Sequence, residues 1–138
     1  MDPSDLFRIH SDFRWLVVLL ALIALLRLVV GVVRRDAFDR FAVISLRAYT
    51  IALDIQFLIG VIFIIWSEID TGSGFTRHRI EHAVVMLIAV IVAHLPERWK
   101  ASSAPTRYRN TLLAAIGSLL IIFAGVILLP GGSARWEF

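Results

Sequence analysis

The chain has 138 residues, 59% of them hydrophobic and 18% charged, with a formal net charge of +3. That apolar share lies above the roughly 45–50% of soluble domains. It also falls into long blocks, which argues against a soluble helical domain with a polar stripe on each helix. The chain has no cysteine, which excludes a disulfide framework, a thiolate metal site and covalent haem attachment. No phosphate-binding loop, Ser-His-Asp arrangement or acidic Mg²⁺ cluster is present, and nothing points to nucleic acid.

The first apolar block covers residues 15–33. Its leader, MDPSDLFRIHSDFR, balances acids against bases, and GVVRRD follows the block where a cleavage site would need small residues. It therefore reads as a retained helix over 12–34. Arg27 lies inside it toward the distal end, where its side chain can snorkel to the headgroups or pair with Asp54. The next segment, RDAFDRFAVISLR, has Phe38, Phe41 and Ile44 or Ser45 at helical spacing. It either lies along the membrane surface or extends the second helix, predicted over 47–67. The turn signal DTGSG then leads to a third helix over 77–96. Its purely apolar run, 83–95, is short of the ~17–25 residues needed to span. It spans only with RHRIEH before it or PERW after it. After SSAPT, a fourth helix over 110–130 carries Ala114, Ser118 and Gly125 on roughly one face, with Gly117 one residue away. Small residues at that spacing form a packing face between helices in lipid.

The pattern predicts an all-α integral membrane protein, an up-down four-helix bundle forming a single domain over 1–138. Basic residues concentrate in two loops: Arg34, Arg35, Arg40 and Arg47 after the first helix, and Arg98, Lys100, Arg107 and Arg109 after the third. The opposite side holds most of the acids. Positive charge marks the cytoplasmic side, so both termini are expected on the non-cytoplasmic side. Trp15, Trp66 and Trp136 then fall at the outer interface and Trp99 at the inner. A position in the bacterial inner membrane is expected, with lipid and other membrane subunits or further copies as partners.

Ionisable residues at membrane depth are costly, about 2.5–3.5 kcal/mol even on the permissive insertion scale, and so are functional candidates. Alternating helix direction sorts them into two layers. His10, His78, Glu81 and His82 lie toward the outer face, and Asp54 and His94 toward the inner. Histidines from different helices at one depth can ligate the iron of a non-covalent haem b, which His10 and His82 suit. At 100° per residue His82 and His94 point about 120° apart, so one haem fits better than two. A second chemistry is an ion site: His78, Glu81 and His82 share a face at i, i+3 and i+4, and His10 could add a ligand. Against it, His78 reads as solvated and Glu81 as a partner for Arg77 or Arg14. Asp54 has Arg47 two turns away on nearly the same face, so it reads as an Asp54–Arg47 or Asp54–Arg27 ion pair, or as a proton-relay carboxylate. Met86 shares a helix with His82 and cannot be its opposite ligand.

The stretches IHSDFRWLVVLLALIALLRLVVG, LDIQFLIGVIFIIW and RIEHAVVMLIAVIVAH, together with the last helix, resemble a group of small bacterial four-helix membrane proteins described as cytochrome-b-like. The resemblance covers nearly the whole chain. It implies a membrane haem protein in which His10, His82 and His94 match histidines of the pattern and Gln56 and Glu81 match too. Asp54 departs from it, because the pattern has histidine there. The implied function is electron transfer by haem b, with no catalytic residue. Two alternatives stay open: a non-catalytic accessory subunit of a respiratory or photosynthetic complex, and a metal-binding or proton-relaying membrane protein.

Overall fold

A computed structural model describes residues 2–132 and residue 134. The sequence expectations for Arg135, Trp136 and Glu137 lie outside these residues. The described residues are helical and include no strand. Four long helices follow in order: α1 (Pro3–Arg34), α2 (Arg40–Thr71), α3 (Arg77–His94) and α4 (Ala104–Ile127). A short 3-10 helix (Leu95–Trp99) prolongs α3.

The helix ends follow from local chemistry. α1 starts nine residues earlier than periodicity predicts, because Asp2 caps it. The Asp2 carboxylate accepts the N–H groups of Ser4 and Asp5, Asp5 reaches back to the Asp2 N–H, and Pro3 occupies the first turn. α1 ends at Arg35 in the left-handed conformation (φ 56°), its N–H bonded to the Gly31 carbonyl. α2 also starts early. Asp39 accepts the Ala42 N–H at 2.8 Å, so the segment with Phe41 and Ile44 extends α2 instead of lying on the surface. Gly72 (φ 63°) closes α2 with its N–H on the Glu68 carbonyl. Pro96, without an N–H, coincides with the change from α3 to 3-10 geometry.

α1 packs on α2 and α4, and α3 packs on α4 and α2, so each helix is flanked by two others. All four are long and apolar enough to cross a membrane. For α3 the qualifying stretch is Arg77–Trp99, so both polar flanks complete it. The distribution of side-chain size is inverted relative to a water-soluble core. Ala21, Ala24, Ala52, Ala89, Ala93, Ala114 and Gly125 are buried. Leu19, Leu22, Leu26, Leu58, Ile65, Leu113 and Leu120 are exposed. Small residues inside let the backbones approach, and the large aliphatic groups are left to coat the exterior. In water, a continuous apolar surface of that kind is an aggregation liability.

Two larger buried side chains organise the interior. The Tyr49 hydroxyl meets Ser118 Oγ at 2.8 Å, and Ser118 donates to the Ala89 carbonyl at 2.9 Å, which ties α2, α4 and α3 together. Tyr108 is fully buried against Gly31 and Phe38, and its hydroxyl donates to the Ala37 carbonyl at 3.1 Å. Arg27 reaches the α1–α2 turn, bonding Asp39 at 2.8 Å and Asp36 at 3.4 Å. Arg27 thus pairs with the acids of the α1–α2 turn, and the Asp54–Arg27 pairing does not occur.

Candidate functional site

α1 carries His10 and α3 carries His82, and the fold brings the two imidazoles together. Their ring centres are 6.4 Å apart and their planes are nearly perpendicular, at 83°. Two imidazoles binding one metal ion from opposite sides, each through nitrogen at about 2.0–2.1 Å, have ring centres about 6 Å apart. The observed spacing meets that condition.

The ring of His82 is oriented by α4. Its Nδ1 lies 3.0 Å from the Gly125 carbonyl, an acceptor, so Nδ1 carries the proton and Nε2 presents the lone pair. A backbone carbonyl on the remote nitrogen is the usual arrangement behind a metal-ligating histidine. The ring of His10 is held by α2. Gln56 Nε2 donates to the His10 carbonyl at 2.8 Å and lies 3.3 Å from His10 Nε2. With both acceptors on the same amide nitrogen, the His10 proton falls on Nδ1, which is buried without a hydrogen-bond partner. Gly60, one turn above Gln56, makes room for the ring: a Cβ there would lie 2.9 Å from His10 Cε1.

These residues border a cavity of about 500 Å³ between the helices, within the roughly 300–1,000 Å³ range of small-molecule and cofactor sites. Most of its wall is apolar, including Phe7, Val17, Phe57, Met86 and Ile122. On its lining residues, the buried His10 Nδ1, Gln56 Oε1 and Ser67 Oγ have no hydrogen-bond partner. Buried polar groups are normally satisfied, so this concentration marks a space shaped for something polar at one point and apolar elsewhere. Arg14 and Arg79 border the same cavity. Arg79 sits 4.8 Å over the Phe63 ring and donates to the Ser73 carbonyl.

The other predicted site residues fall elsewhere. His94 is not brought to His10 and His82. Its Nε2 lies 3.3 Å from the Asp54 carboxylate, and its Nδ1 lies 2.9 Å from the Val90 carbonyl. This corrects the expected Asp54–Arg47 pair and keeps the division into two layers. Glu81 accepts from Arg77 at 2.7 Å, as expected, but is well exposed and does not join His82 in a buried outer layer. His78 is exposed, with Thr76 Oγ1 at 3.3 Å. The ion site on His78, Glu81, His82 and His10 is not formed: among the described residues no three His, Cys, Asp or Glu side chains gather to hold an ion.

The sequence reading missed Gly60 and Ser67. A signal was present, since Gln56, Gly60 and Ser67 stand at i, i+4 and i+11 and so share one face of α2. No family model, curated protein or solved structure matches the chain.

Proposed function

We propose that the chain is an integral membrane protein, an up-down four-helix bundle, that carries one haem b between His10 and His82 and passes electrons. The observation that carries this reading is the pair of imidazoles from two helices with centres 6.4 Å apart, bordering an apolar cavity of about 500 Å³. The residues fit such a group in three further respects. His82 is held by a backbone carbonyl in the tautomer that presents Nε2. Gly60 leaves space beside the His10 ring. Arg14 and Arg79 supply positive charge for propionate carboxylates. Haem bound by two histidines is a reversible one-electron carrier. His10 and His82 would supply the ligating nitrogens, and the chain's own residues line the space with an apolar wall and orient the two rings through Gly125 and Gln56.

The apolar exterior and the small-residue interior support the membrane setting. The basic loops at the α1–α2 and α3–α4 connections support a cytoplasmic position for that end, with both termini opposite.

A second reading is favoured by one contact. The Gln56 amide stands 3.3 Å from His10 Nε2, so polar contacts within the protein already engage that ring. On that reading the chain is an accessory subunit of a larger membrane complex and the two histidines are structural. A single experiment separates the two. The full chain is purified in mild detergent from a haem-sufficient host and its dithionite-reduced spectrum is recorded. The haem reading expects Soret and α bands that both His10→Ala and His82→Ala remove. A protein without those bands overturns it.

A further inference from the structure

The opposite end of the molecule holds a second cavity, of about 270 Å³, lined by α2, the end of α3, the 3-10 helix and the start of α4. Its charges do not balance. Lys100 is paired with Glu97, and His94 with Asp54. Arg47 and Arg107 remain, and among the described residues neither has a carboxylate within ion-pair distance. The Arg107 guanidinium carbon lies 3.9 Å over the Phe38 ring, a cation–π contact that leaves its charge unneutralised. Thr111 lines the cavity as well. It is fully buried, and its Oγ1 has no hydrogen-bond partner.

Two unneutralised guanidiniums and a buried, unsatisfied hydroxyl around one concavity form a donor set for an oxyanion. Guanidinium favours phosphate over a spherical anion, because its fork of N–H groups matches two oxygens at once. A basic pocket between membrane helices near one end is also where anionic lipid headgroups bind. We propose that this cavity binds a phosphate group through Arg47, Arg107 and Thr111, taken from the headgroup of an anionic phospholipid or from free inorganic phosphate. The site is separate from the His10–His82 cavity and does not depend on haem.

The test uses the delipidated full chain in detergent, titrated with phosphatidylglycerol, phosphatidylcholine or inorganic phosphate and followed by native mass spectrometry. Saturable binding of phosphatidylglycerol over phosphatidylcholine is expected. The paired substitution Arg47→Gln with Arg107→Gln should weaken it at least about tenfold, since a hydrogen bond to a charged group contributes on that scale. Arg98→Gln, at an exposed arginine outside the cavity, should leave it unchanged. Thr111→Val should weaken it by a smaller factor in a protein that remains monodisperse. Should the paired glutamine variant not fold, Arg47→Lys with Arg107→Lys retains charge, loses the fork and should still bind several-fold less. Inorganic phosphate that binds alone and is lost in the arginine variants identifies free phosphate as the source. Phosphatidylglycerol binding without phosphate binding identifies the lipid. Equal affinity for both lipids with no phosphate binding, or affinity unchanged in the arginine variants, overturns the site.

Discussion

Asp54 and His94 meet across the gap between α2 and α3. Nδ1 of His94 faces the Val90 carbonyl at 2.9 Å and so carries a hydrogen, while Nε2 faces a carboxylate oxygen at 3.3 Å. The pair links α2 to α3, two neighbours joined by few other polar contacts.

Because both side chains are nearly half exposed, at 43% and 46%, the link is expected to be weak. A double-mutant cycle with Asp54→Ala and His94→Ala should give a coupling of roughly 0.2–1 kcal/mol. Unfolding in detergent measures it. A coupling of several kcal/mol would mean that the pair is shielded from solvent far more than its exposure indicates.

Gly31 and Gly117 make opposite predictions for the same substitution. A Cβ at Gly31 would lie 2.3–2.6 Å from atoms of the Tyr108 ring, which is buried and bonded at its hydroxyl and cannot swing away. Gly31→Ala should therefore cost about 1–3 kcal/mol by overpacking. At Gly117 the nearest atom is Val92 Cγ1 at 3.6 Å, an ordinary contact. Gly117→Ala should be neutral, or stabilising by up to about 1 kcal/mol through helix propensity. Thermal midpoints of the two variants against the parent check both.

The four helices were legible because lipid-length apolar blocks leave few alternatives. Depth alone put His10 and His82 in one layer and Asp54 and His94 in another. What depth could not supply was azimuth. Asp54 was expected on Arg47, which shares its helix, yet it meets a histidine across the gap to α3. The helix starts were missed for a different reason. Periodicity reports the apolar face, whereas the true ends are set by Asp2 and Asp39 caps outside it. Small residues were recognised as a packing face on α4 only. Their use as the interior of every helix emerges once the large aliphatic groups are seen outside. Gly117 lay beside that face in sequence but is not buried, because one residue is 100° of rotation.

Asp39 gives a pH dependence. Hydrogen bonds from the Arg27 guanidinium, and next from the Ala42 N–H, hold its carboxyl below the ordinary value of 3.8. A value depressed in the folded state means that folding favours the carboxylate. Its contribution is thus complete above the ordinary value and is lost as pH falls through the lower, folded one. The Asp39→Asn variant keeps a capping oxygen for Ala42 but has no charge to lose. Between about pH 5 and about pH 3 the parent's unfolding midpoint should fall more than that of the variant. Parallel profiles would show that the Arg27–Asp39 bond adds nothing to stability.

Ser118 stands between two partners, and that position orders three variants. Tyr49→Phe removes one donor and leaves Ser118 bonded to Ala89. Ser118→Ala strands the buried Tyr49 hydroxyl, which is the costlier loss because an unsatisfied buried donor carries its full desolvation penalty. Hydrogen bonds between membrane helices average about 0.6 kcal/mol and reach about 1.7. Ser118→Ala should therefore destabilise by about 1–2 kcal/mol and Tyr49→Phe by less than about 1 kcal/mol. In the Tyr49→Phe background the same Ser118→Ala change should cost less than it does in the parent, since no hydroxyl is left stranded. Chemical unfolding of the three variants in one detergent measures this. Strict additivity would mean that the hydroxyl finds another acceptor, and that α2, α3 and α4 are held together by the packing of their small residues without this bond.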